Sequence, residues 1–183
     1  MPFFDGEWRP TSFYAKIAYN AAGGMHTLCL LDIKVREPDF EAMMQGKVKH
    51  QPPRFMTVRR CAAAAAAAAA THSLTRPQVN RAVEQLLEAE EKEKGGVCAP
   101  GRLAVGCARL GQPDQRIVAG TLQQLLTVDF GEPLHCLALC APELHPIERE
   151  FIEQFMVDGG AVPAAEAGAE AGAPPPPPPP VEA

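Results

Sequence analysis

The sequence predicts an α/β domain, and three observations predict it. The run MHTLCLLDIKV, residues 25–35, lies between Gly23-Gly24 and Pro38 and is too short and too continuously apolar for an amphipathic helix. It reads as a strand buried on both faces, at the centre of a parallel or mixed sheet. Helical spacing flanks it on both sides, and further on a Gly-Gln-Pro-Asp turn separates two apolar runs as a hairpin. Strands alternating with helices are the mark of the class. Asp32 falls at the carboxyl end of the first strand, where open α/β sheets bind ligands; a cap or an ion-pair partner is the commoner role for such a carboxylate.

Taken in order, Thr11-Ser12 is suited to cap a helix, and Phe13, Ile17 and Ala18 recur at helical spacing until Gly23-Gly24 stops the run. After the strand, Pro38-Asp39 opens a short helix with Phe40, Met43 and Met44 on one face, ended by Gly46. Thr57 is placed to cap another helix, but residues 59–79 intervene, including nine consecutive alanines at 62–70. Alanine is the best helix former, yet a run this short is below the ~12 to 15 residues at which isolated helices become marginal. Residues 59–79 therefore read as an insertion, since Val58 and Val79 are interchangeable before Asn80. The helix then runs on with Ala82, Val83, Leu86 and Leu87 inward, and stops at Gly95-Gly96.

Residues 102–110 and 115–119 form the hairpin. Gly120-Thr121-Leu122 opens a helix to Leu126; the turn could offer backbone N–H groups to a ligand, although a plain strand-to-helix turn is the commoner meaning. Residues 136–141 make the last strand, and His145-Pro146 starts a helix with Ile147, Phe151 and Phe155 in one row. His135 and Cys136 point to opposite faces and are no nucleophile and base pair. A histidine at a strand start is more often a satisfied core or edge residue than a functional one.

The composition excludes several classes. A formal charge of −5 without a lysine or arginine cluster offers nothing to a phosphate backbone, so nucleic acid is not an expected partner. No apolar run reaches the ~18 residues that span a bilayer, and the first residues do not form a signal peptide, so a cytoplasmic protein is expected. The six cysteines follow no zinc or disulfide spacing. They read as small buried hydrophobes in a reducing compartment. Residues 157–183, rich in Ala, Gly and Glu and holding seven prolines at 174–180, are expected to be a disordered tail. Residue chemistry alone yields an α/β domain with a crevice near Leu31, Leu110 and His135, and no reaction, because no Walker, G-x-S-x-G, H-E-x-x-H or Rossmann motif is present.

The strings WRPTSFYAKI, GMHTLCLLDIKV, PPRFMTV, AVGCARLG, AGTLQQLLTVDFGEPLH and HPIERE, in this order from Trp8 to about Phe155, resemble the eukaryotic diphthine methyl ester synthase family. The resemblance implies the C-terminal half of a two-domain tetrapyrrole-methylase-like fold, a mixed sheet flanked by helices, over residues 1–156, interrupted at 59–79. It further implies S-adenosyl-L-methionine as cofactor, a homodimer, and methylation of the modified histidine of translation elongation factor two in diphthamide biosynthesis. Carried over by motif, the cofactor contacts are Leu31 in LCLLDIKV, Leu110 in ARLG and His135 in GEPLH, the leucines walling the adenosine and His135 hydrogen bonding. No metal and no catalytic base are assigned. A sulfonium leaving group needs no proton, so positioning and exclusion of water can carry the reaction. The family's N-terminal glycine-rich strand end and loop have no counterpart in the sequence, so a truncated form is expected, with an inactive dimerisation or elongation-factor-binding module as the alternative.

Overall fold

The computed structural model describes residues 1–2, 4, 8–34, 37–51, 54–55, 58–59, 75–76, 78–159 and 162. The Thr57 cap, the alanine run and the proline-rich tail lie outside the described residues. In chain order the elements are α1 (Ser12–Ala22), β1 (Thr27–Leu30), β2 (Ile33–Lys34), α2 (Phe40–Met44), β3 (Arg54–Phe55), β4 (Val58–Arg59), β5 (Thr75–Arg76), α3 (Gln78–Glu93), β6 (Leu103–Ala108), β7 (Arg116–Thr121), α4 (Leu122–Leu125), β8 (His135–Leu139) and α5 (Pro146–Glu153). A short 3-10 turn, Val157–Gly159, follows.

The α/β class holds, with a four-stranded sheet in the order β1-β8-β6-β7. Its three strand pairings are antiparallel, and the parallel component is an isolated bridge between Ala119 and Met156. The central position expected for residues 25–35 is corrected. That run divides into β1 and β2, and β1 is an edge strand with Cys29 buried while Leu28 and Leu30 are 61% and 68% exposed. A local cause ends β1 at Leu30. The β1–β8 register would next place Leu31 opposite His135, but the His135 N–H is taken by Gln78 Oε1 at 3.1 Å. A side chain from α3 thus replaces the next rung of the ladder.

One sheet face is the core. Cys29, Ala104, Leu137 and Leu139 pack beneath Ile17 of α1, Val79, Val83 and Leu86 of α3, and Leu122 and Leu125 of α4. Burying each of the valine, leucine and isoleucine side chains among them stabilises by about 1.5–3 kcal/mol. The inward row of α1 is Tyr14, Ile17 and Ala21, not the expected Phe13, Ile17 and Ala18, because the hydroxyl of Tyr14 finds partners inside. Thr11 does not cap α1 with its side chain; its hydroxyl donates to Glu93 Oε1 at 2.7 Å. α3 begins at Gln78, inside the expected insertion, with Val79 fully buried. The strands β4 and β5 pair antiparallel, setting Arg59 opposite Thr75.

The other sheet face is half covered. Leu103, Ala119 and Cys140 meet Met156 and Val162 in a second small cluster, flanked by Ile152 and Phe155. Leu28 and Leu30 face outward beyond it. Two expected apolar rows also lie open: Phe40, Met43 and Met44 of α2, and Ile147 and Phe151 of α5, are exposed. Each helix is held by its start instead. Asp39 Oδ1 accepts from Ala42 N–H, and His145 forms a capping box with Glu148 ahead of Pro146. The cysteines of the described chain are free thiols, buried or half-buried. Burial pushes Cys29, Cys107 and Cys140 up to about 11 and Cys98 to about 12, as expected of inert side chains.

A polar clamp closes α1 on α3. The Tyr14 hydroxyl donates to Glu90 Oε2 at 2.8 Å and accepts from Gly95 N–H, while Glu90 also accepts from the N–H groups of Gly96 and Cys98. Burial and the Glu90 carboxylate raise the Tyr14 pKa to about 12. A pKa raised on folding means the contribution is intact below the unfolded value near 10 and lost as pH climbs through the folded one. Tyr14→Phe is expected to cost about 1–2 kcal/mol at pH 7. Urea unfolding from pH 9 to 12 should show a loss of stability in wild type that the variant lacks; parallel pH curves would refute the clamp.

Candidate functional site

The sheet register brings the three expected contacts to one end of the strands. Leu31 follows the last residue of β1, which pairs with Cys136; His135 opens β8 and pairs with Ala108; Leu110 lies two residues beyond Ala108. A shallow cleft of about 430 Å³ opens beside Leu31, lined by Met1, Pro2, Leu30, Leu31, Asp32 and Ile33; Leu110 and His135 are not part of its lining. Asp32 is thus on the cleft wall, with its N–H bonded to Met1 O. Leu31 is 5% exposed and joins the main core, so its side chain packs as well as lining the cleft. Leu110 is 54% exposed at the start of the hairpin turn.

His135 is the chemically distinctive member. It is 6% exposed, its ring lies 6.0 Å from the Phe130 ring, and its Nε2 lies 2.7 Å from the Glu132 carbonyl. A carbonyl only accepts, so Nε2 carries the proton and Nδ1 is a lone-pair acceptor. Among the described residues Nδ1 has no partner; Gln78, whose Oε1 takes the His135 N–H, likewise leaves its Nε2 without one. Burial holds the imidazole below its ordinary pKa; the Glu132 carbonyl works the other way and the Arg109 charge adds to the lowering. The ring is therefore neutral at pH 7, with an unmet acceptor in a buried setting, which is costly unless something donates to it.

Loop 129–134 is held by Arg109. Its Nε donates to Asp114 Oδ2 at 2.6 Å, its Nη1 to the carbonyls of Phe130 (2.9 Å) and Glu132, and its own N–H to Leu134 O. Arg109 adopts φ +49, uncommon for a residue with a side chain, and Gly131 beneath the guanidinium has φ +68. Sequence reasoning passed over Arg109 and Gln78, although ARLG was in view. The turn at 120–122 takes its plain meaning: Thr121 and Gln124 form a capping box, and the N–H groups of Leu122 and Gln123 go to Arg102 O and Pro100 O. No helix among the described residues is long and apolar enough to cross a membrane.

No protein-family model matches the chain. It is 44% identical over 165 residues to the diphthine methyl ester synthase of Emericella nidulans, covering 90% of this chain and 50% of that protein. The human diphthine methyl ester synthase is 40% identical over 159 residues, covering 85% and 48%. A solved structure from Entamoeba histolytica assigned as a diphthine synthase superposes with a TM-score of 0.64 at 36% identity, over 85% of this chain and 48% of that one. A second solved diphthine synthase, at 21% identity and TM-score 0.51, agrees in fold alone. The fold thus places the chain among α/β domains of the tetrapyrrole-methylase-like kind. Within that class it is a homologue, over about half of their length, of the diphthine methyl ester synthases. The chain spans about half the length of the curated relatives it matches.

Proposed function

We propose that this chain carries one half of the S-adenosyl-L-methionine site of a diphthine methyl ester synthase, a cytoplasmic enzyme that methylates the modified histidine of translation elongation factor two. The observation that carries the reading is the buried, unmet Nδ1 of His135 at the same end of the strands as Leu31 and Leu110. These residues fit the cofactor: two leucines offer apolar wall to a purine, and Nδ1 accepts from an amine or hydroxyl of an adenosine. When bound, the cofactor supplies an electrophilic methyl group on a sulfonium. His135 then orients and takes no proton, since its other nitrogen is committed to the Glu132 carbonyl. No residue of this half is assigned as a base. The same reading takes residues 1–156 as one domain interrupted at 59–79, a division supported by the pairing that brings Arg59 opposite Thr75, and residues 157–183 as a tail, although α3 already starts at Gln78 and Val157 and Val162 still pack on the domain.

Isothermal calorimetry of S-adenosyl-L-methionine and of its demethylated product against the 183-residue chain tests this, with circular dichroism to verify folding. Saturable binding is expected, weakened at least about tenfold by His135→Ala, the worth of one buried hydrogen bond. A folded chain that binds neither molecule would overturn the reading for this polypeptide. A second reading, an inactive module that dimerises or binds the elongation factor, is favoured by the open apolar residues Leu28, Leu30, Ile147 and Phe151. Concentration-dependent self-association without cofactor binding would support it.

A further inference from the structure

We propose that Arg109 is the positioning residue of His135: by gripping the Glu132 carbonyl it fixes the imidazole in the Nε2–H form and turns Nδ1 into a hydrogen-bond acceptor for a donor group on an adenosine-type ligand. The ligand part rests on the cofactor reading above; the tautomer part stands on this chain alone.

The geometry has three joined links. Glu132 O is a shared acceptor, receiving Arg109 Nη1 from one side and His135 Nε2 at 2.7 Å from the other. The guanidinium is itself fixed at its far end, where Nε and Nη2 reach the side chain and the carbonyl of Asp114 at 2.6 and 3.1 Å. A second carbonyl of the same loop, Phe130 O, is held at 2.9 Å. The planar fork thus ties the hairpin turn to loop 129–134 through four acceptors at once, which a lysine ammonium on a flexible stem does not reproduce. The main chain agrees, since Arg109 N–H donates to Leu134 O next to His135.

The consequence for the ring follows from which groups can accept. With Glu132 O held against Nε2, the proton belongs there, because a bare nitrogen at this distance would set its lone pair against those of the carbonyl oxygen. Gln78 Oε1 is already occupied by the His135 N–H, so it does not compete for the ring. Nδ1 is left without a protein donor among the described residues. A ligand group that donates there finds a pre-oriented acceptor and no ordering cost at the ring. Arg109 touches no reacting atom in this account; it acts through Glu132 and His135.

The test is long-range ¹⁵N–¹H correlation of the His135 ring in the full chain, with cofactor calorimetry on the same samples. Wild type is expected to show a protonated Nε2 and a bare Nδ1. In Arg109→Met the Nδ1–H form should rise to a comparable population and cofactor affinity should fall about tenfold, the scale of one charge-assisted hydrogen bond. Arg109→Lys, which keeps the charge without the fork, should not restore either. Should Arg109→Met not fold, Asp114→Ala removes the anchor of the guanidinium from an exposed position and should move the tautomer in the same direction by a smaller amount. A protonated Nδ1 in wild type overturns the proposal, as does an unchanged tautomer in folded variants or full rescue by lysine. Wild type that binds no cofactor overturns the functional reading instead, and the tautomer spectra still decide the role of Arg109.

Discussion

Asn80→Ala is expected to lower the unfolding free energy by about 3 kcal/mol, a large share of what a domain this size has to lose. Asn80 is 2% exposed near the start of α3, and its Nδ2 donates to the carbonyls of Leu125, Leu126 and Val128 at 2.7, 2.9 and 3.0 Å. Two N–H bonds thereby satisfy three carbonyls where α4 ends and the chain turns toward loop 129–134. Alanine would strand those carbonyls in a dry interior, each a penalty of about 1–3 kcal/mol before relaxation. The carboxamide is needed as a donor, so the isosteric Asn80→Asp is the sharper variant. A carboxylate against three carbonyl oxygens is repelled, and its folded pKa is driven above the unfolded value near 3.9. Its stability contribution is then fully present below pH 4, where one O–H can donate, and lost as pH rises through the folded pKa. Urea unfolding should rank Asn80→Asp at or above Asn80→Ala at pH 4 and below it at pH 8. An aspartate variant as stable as wild type at pH 8 would mean the three carbonyls do not depend on Asn80.

Much of the framework was legible because its causes are local. Gly23-Gly24 ends α1, Gly111 sits at φ +79 in the hairpin turn, and Pro146 stands at the first turn of α5; each follows from backbone chemistry within a few residues. The strand at 25–35 was misplaced for a complementary reason. An apolar run does not disclose whether its second face meets a helix, and here Leu28 and Leu30 meet nothing among the described residues of the core, while Gln78, distant in sequence, ends the ladder. The rows on α2 and α5 show the same blindness: helical spacing reveals a stripe but not whether the stripe is covered. At the site, residue chemistry reached a crevice near Leu31, Leu110 and His135, whereas their roles as cofactor contacts entered through motif resemblance and still carry that warrant. Arg109 and Gln78 were not legible, because their partners lie 23 and 57 residues away and only the fold brings them together.

The middle of β6 should tolerate no side chain at all. Gly106 lies under the ring of Phe130: a Cβ placed there would stand 2.4 Å from Phe130 Cζ, 2.6 Å from Cε1 and 3.2 Å from Val79 Cγ1. The ring has little freedom to withdraw, since Phe130 is fully buried and its carbonyl is held by Arg109. Gly106→Ala is therefore expected to cost about 3 kcal/mol, the upper end of overpacking penalties. Phe130→Leu should cost about 1–2 kcal/mol by itself, a partial version of the 3–5 kcal/mol for full truncation. If the collision is the cause, the costs must not add. The double variant should be at least about 1 kcal/mol more stable than the sum of the single losses, because the smaller side chain vacates the space the new methyl needs. The urea midpoints of the four proteins, at matched slopes, measure this directly. The same series reaches the site, since the Phe130 ring is the neighbour of His135: Gly106→Ala should disturb the His135 ring resonances, and the double variant should not return them to wild type even where stability recovers. Strictly additive losses, or a Gly106→Ala cost below about 0.5 kcal/mol, would show that the ring does not lie on β6 as described.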